Sequence, residues 1–88
     1  MKIKEGFVVK EIAGQCVVIA LGEASKIFNG LIKLNDTGRF IWDKLTEGVE
    51  TSGIVDALLC EYEGVDRATA EKDVEKFIDV LKGANILE

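Results

Sequence analysis

Apolar residues follow two different rhythms along the 88-residue chain: short β-branched and aromatic runs up to Leu34, then helical spacing beyond it. Phe7 to Ile12 and Gln15 to Leu21 are rich in Val, Ile and Phe and are separated by Ala13-Gly14, which predicts a β-hairpin. With a two-residue loop, Val8 faces Ile19 and Val9 faces Val18, so both faces of the ribbon carry apolar side chains. One face covers the helices. The other, with Lys10 and Gln15 or with Glu11, is only partly polar and suits a partner or a second copy of the chain. Gly6, Gly14, Gly22 and Gly30 punctuate strand-length segments as in a short meander, although the segments between them are too unlike to form a repeat. Glu23 to Asn29 reads as a connection with Phe28 as its one large apolar residue, and Leu31 to Leu34 as the third strand.

At Leu34 the strand turns directly into a helix. Asn35 has a side chain able to accept from an unpaired N–H of the first turn, and Asp36 places negative charge at the positive end of the dipole. Gly38, Ile41, Trp42 and Leu45 fall near one line of that helix, while Phe40 lies well round the cylinder, so the helix is expected to pack on two sides with Trp42 buried. Gly38 costs about 1 kcal/mol relative to Ala in a helix interior. It is read either as a site of close approach by another backbone or as part of a frayed first turn. Gly48 suits the stop of this helix. Ile54, Val55, Leu58, Leu59 and Tyr62 form the buried face of a second helix, with Gly64 ending it. Asp66 caps a third, whose core stripe is Ala70, Val74, Phe77, Ile78 and Leu81, with Lys82-Gly83 as its stop and Ile86-Leu87 as a last apolar pair.

The fold class expected is therefore α+β: a winged helix-turn-helix-like domain in which a three-stranded antiparallel sheet is followed by a three-helix bundle. Residues 1–88 make a single domain, with strands at about 7–12, 15–21 and 31–34 and helices at about 36–46, 52–62 and 67–82.

Composition narrows the function. A hydrophobic content of 48% with 31% charged residues is that of a globular domain, not a disordered one. No uncharged apolar run approaches ~18 residues, and no apolar signal core follows Met1-Lys2-Ile3-Lys4-Glu5, so a cytoplasmic location is expected. With no histidine and no Cys-x-x-Cys, metal is not expected; Cys16 and Cys60, each inside an apolar run, read as buried thiols. Neither a nucleophile with its base nor a cofactor loop is visible, so the domain is read as no enzyme and as needing no cofactor. A net charge of −5 argues against nucleic acid.

One flank of the third helix departs from a solvated pattern. Thr69, Asp73, Lys76 and Val80 follow 4-3-4 spacing beside the core line, with Val80 apolar on an otherwise polar side. Separately, Leu34-Asn35-x-Thr37-Gly38-x-x-Ile41-Trp42, then Leu45 with Gly48, Leu58 to Tyr62, and Asp73-Val74-x-x-Phe77-Ile78-x-x-Leu81, taken in this order and spacing, give the chain its resemblance to the PqqD-like family, named for the pyrroloquinoline-quinone synthesis protein D. The resemblance spans nearly the whole chain. It implies a winged-helix-like recognition element, without activity of its own, for the leader segment of ribosomally made precursor peptides, which a partner such as a radical SAM enzyme then modifies. It further implies that the leader adds as a strand to Leu31, Ile32, Lys33 and Leu34 and lies against Asp73, Lys76, Phe77 and Val80. Members serving the quinone pathway typically carry a Gly-Trp-Leu-like ending, whereas this chain has Ala84-Asn85-Ile86-Leu87, which points to a different peptide.

Two other readings stand beside this one. A winged-helix DNA-binding regulator would share the topology, but the third helix, Asp66 to Lys82, mixes five acids with four bases. A weak homodimer through an open sheet edge is compatible with peptide capture.

Overall fold

The computed structural model describes residues 2–26 and 32–88, and its elements are β1 (Phe7–Ile12), β2 (Gln15–Ala20), a short 3-10 helix (Gly22–Lys26), β3 (Ile32–Leu34), α1 (Asp36–Thr46), α2 (Thr51–Glu61) and α3 (Arg67–Gly83). Phe28 and Leu31 lie outside the described residues. Ala13 and Gly14 both take positive φ, 53° and 79°, the turn geometry whose twist matches that of the flanking strands. Its two-residue loop fixes the register from Ile12↔Gln15 to Phe7↔Ala20, with Val8 facing Ile19 and Val9 facing Val18 as expected. β3 pairs antiparallel with β2 through Cys16↔Leu34, Val17↔Lys33 and Val18↔Ile32, giving the sheet order β1-β2-β3.

The alternation of side chains assigns the faces. Phe7, Val18 and Leu34 enter the core, with Val9, Cys16, Ala20 and Ile32 packed against it. The opposite face carries Val8, Lys10, Ile12, Gln15, Val17, Ile19 and Lys33. Val17, between Lys10 and Lys33 in the cross-strand row, is buried even there, while Val8 and Ile12 are exposed.

Asn35 caps α1 by accepting from the Gly38 N–H at 2.7 Å. Ile41, Trp42 and Leu45 are buried in the core, and on the far side of the helix Phe40 meets the Tyr62 ring edge-on, with centroids 5.9 Å apart. The expected packing on two sides is thus present. α2 buries Ile54, Val55 and Leu58, and Tyr62 follows as its C-terminal cap instead of its last helical residue. Cys60 is exposed, contrary to its reading as a buried thiol, because it falls off the line set by Ile54 and Leu58; Cys16 is half-buried. α3 buries Ala70, Val74, Ile78 and Leu81. It runs through Gly83 and stops one residue later than Lys82-Gly83 suggested, because Asn85, not the glycine, takes the left-handed conformation (φ 61°).

The last residues fold back onto the first. The Lys4 N–H donates to the Ile86 carbonyl and the Glu88 N–H to the Lys2 carbonyl, both at 2.8 Å, with Ile3 opposite Leu87. Ile86 is fully buried. Among the described residues no helix is long and apolar enough to cross a membrane, and no group of His, Cys, Asp or Glu could hold a metal ion.

Candidate functional site

Hydrogen-bond parity decides which backbone groups of the edge strand β3 face away from the sheet. In an antiparallel ladder, residues alternate between those that bond to one neighbour and those that bond to the other. The Leu21 N–H donates to the Gly6 carbonyl at 2.7 Å, which extends the β1–β2 ladder and assigns the backbone groups of Gln15, Val17 and Ile19 to β1. Cys16 and Val18 therefore bond to β3 through Leu34 and Ile32. Lys33 is left with both its N–H and its C=O aimed away from the sheet. Its side chain points to the outer face, and those of Ile32 and Leu34 to the helices.

Beside this edge lies a groove of two adjoining lobes. One, of about 310 Å³, is lined by Asn35, Thr37, Gly38, Ile41, Asp73, Lys76, Phe77 and Val80. The other, of about 480 Å³, straddles the strand edge and the hairpin end, and is lined by Gln15, Cys16, Lys33, Leu34, Asp36 and Phe77 among others. Asn35, Gly38 and Phe77 belong to both lobes, so the two are continuous. The floor is apolar, with Ile41 and Leu34 buried and Phe77 half-buried. The wall on α3 is exposed: Val80 keeps 52% of its surface accessible, and Asp73 and Lys76 stand beside it.

Gly38 joins the helix cap to the groove. A Cβ there would sit 3.1 Å from Asn35 Oδ1, 3.4 Å from Phe77 Cε1 and 3.6 Å from Leu34 Cδ2. The three nearest neighbours are thus side chains, not the other backbone that one reading of this glycine called for. Gly38 does lie in the first helical turn, but it is held by the Asn35 cap. At the adjacent residue, Arg39 Nε donates to Asp43 Oδ1 at 3.1 Å and its Nη1 donates to Cys16 Sγ at 3.4 Å. These bonds, first to Asp43 and then to Cys16, hold the guanidinium above its ordinary pKa. They also tie α1 to the β2 residue at the groove's edge.

Of the residues singled out in the sequence, the groove brings together Lys33, Leu34, Asp73, Lys76, Phe77 and Val80. Ile32 packs against the core and lines neither lobe, and Leu31 lies outside the described residues. Sequence reasoning had Asn35 and Gly38 only as parts of a helix start, and passed over Cys16 and Thr37 as lining residues. The signal for the first two was their adjacency to β3; for Cys16 it was the register of the hairpin.

Fold and groove define a class: an α+β domain of three antiparallel strands followed by three helices, with one open strand edge running beside a helix wall. A model of the family described as coenzyme PQQ synthesis protein D (PqqD) matches residues 15–87, and the chain belongs to that family. Among solved structures it is similar to TbiB1 in complex with the TbiA(beta) leader peptide, with 34% identity and a TM-score of 0.79 over 100% of this chain and 95% of that one. It also shares its fold with a lasso peptide synthetase B1 complexed with the leader peptide, at 24% identity and a TM-score of 0.77 over 99% of this chain and 95% of that one. Curated proteins gave no match.

Proposed function

We propose that this domain is a non-catalytic peptide-binding module. It captures the leader segment of a ribosomally made precursor by strand addition to β3 and presents it to a separate modifying enzyme. The observation that carries the reading is the likeness, along the whole chain, to TbiB1, a protein seen in complex with a leader peptide. The free N–H and C=O of Lys33 support it by offering the backbone bonds that strand addition needs. Side chains on alternate residues of the guest would enter the groove, where Phe77 and Val80 give apolar contact and Asp73 and Lys76 can pair with charges. The proposed peptide-binding set among the described residues is Ile32, Lys33, Leu34, Asp73, Lys76, Phe77 and Val80, with Ile32 acting through its pairing to β2. A radical SAM protein is one candidate for the enzyme that receives the peptide. The DNA-binding alternative has less support, because the groove wall on α3 alternates Asp73 with Lys76 and offers no cationic face for phosphates.

The test uses the TbiA(beta) leader peptide and the leader of any precursor encoded beside this chain, titrated into isotopically labelled protein. Chemical-shift changes along Lys33 to Leu34 and Asp73 to Val80 are expected. Changes confined to Val8, Ile12 and Ile19 on the outer sheet face would overturn the site.

A further inference from the structure

We propose that Lys33 selects an acidic side chain in the bound strand, at the guest position directly opposite it, an inference that rests on the strand-addition reading above. The sheet register carries the argument. Lys33 is the β3 residue whose backbone faces the open edge, and its side chain stands on the outer face with Val17 and Lys10 in one cross-strand row. A strand added to this edge continues that row. In antiparallel addition the opposing guest residue exchanges both backbone bonds with Lys33; in parallel addition the bonds go to its two neighbours. In either direction the opposing side chain shares the face of Lys33, and the guest residues before and after it point toward the groove.

The charges in that row are one-sided. On the outer face of the three strands the charged residues are Lys10 and Lys33, and no carboxylate stands among the described positions of that face, although the chain carries a net charge of −5. Lys33 makes no ion pair among the described residues, whereas Lys26, Arg39, Lys44 and Arg67 each have a carboxylate partner. Asp36, nearby in sequence, opens α1 and does not pair with it. The ammonium is therefore exposed and without an ion-pair partner at the place where a guest side chain arrives. Directly opposed residues in a sheet bring their Cβ atoms to about 4.5–5.5 Å, close enough for an acid to meet it and for a base to be repelled.

A displayed library of random twelve-residue peptides, panned against the wild-type chain and against Lys33→Glu and Lys33→Pro, is the test. Wild-type pools should enrich Asp or Glu at one position flanked by apolar residues, and Lys33→Glu pools should replace that acid by Lys or Arg. For a single selected peptide, changing the acid to its amide should weaken binding to wild type roughly two- to fivefold, with the loss shrinking as salt rises. Pools that lose binding to Lys33→Pro, yet show no acid preference or the same preference on Lys33→Glu, overturn this inference and leave strand addition standing. Pools that bind Lys33→Pro as well as wild type, or a library that yields no binder, overturn strand addition itself. Circular dichroism of both variants confirms that each is folded.

Discussion

Trp42 keeps 3% of its surface accessible at the centre of the core, so Trp42→Ala should cost roughly 3 to 5 kcal/mol in denaturant unfolding. For a domain of this size that is a large share of the folding free energy, and a blue-shifted native tryptophan emission should confirm the burial. Gly38 gives a subtler outcome. Gly38→Ala gains helix propensity worth up to about 1 kcal/mol, but its methyl meets the Asn35 cap and the Phe77 ring. Because that ring is half-buried beside the open groove, it is free to give way into it. Stability should change by less than about 1 kcal/mol while peptide affinity falls, a split that calorimetry and thermal melts read separately. At the start of α3, the Asp66 carboxylate accepts from the Thr69 N–H at 2.7 Å and is held below its ordinary value of 3.8. A depressed folded-state value means the cap's stabilisation is fully present above the unfolded value and is lost as pH falls through the folded one. Melts from pH 7 to pH 2 should show wild type losing ground to Asp66→Asn only in the acid range below about pH 4.

At the scale of elements, β3 is the test piece, because its neighbouring residues differ in what their backbones do. Lys33→Pro removes an N–H that faces the open edge and should abolish peptide binding with the fold retained by circular dichroism. Ile32→Pro removes a donor to Val18 and should instead loosen the sheet, lowering the melting temperature. The hairpin was legible in the sequence because a two-residue loop between apolar runs permits one register, and β-branched residues mark both strands. The core lines of α1, α2 and α3 were legible from helical spacing. What could not be read there was anything decided across space: the meeting of Gly38 with Phe77, the Arg39 bond to Cys16, and the parity that singles out Lys33. The end of α3 was misjudged for a local reason, since Asn85 competes with Gly83 for the left-handed position and lies where Ile86 can turn back into the core. The groove's helix wall showed in the sequence as one misplaced valine, Val80; its continuity with the strand edge did not.

For the whole molecule, the unpaired edge of β3 implies competition between self-association and capture. Weak, concentration-dependent dimerisation is expected in sedimentation, and a bound leader that covers the edge should suppress it. A dimer that persists in saturating peptide would place the contact elsewhere, on the outer sheet face with Val8 and Ile12. Affinity for the peptide near micromolar, about −8 kcal/mol, suits an edge this short. The pairing of the two terminal segments bears on how the domain yields to force. Because the ladder is antiparallel, Lys2 and Glu88 meet at the same end of it, with Ile3 and Leu87 next and Lys4 and Ile86 innermost. Tension applied between the ends loads these bonds in succession instead of together, so they unzip one at a time. Only after the last of them is Ile86 drawn from the core. A domain held this way should open at low pulling force from its ends, whatever its stability toward heat or denaturant.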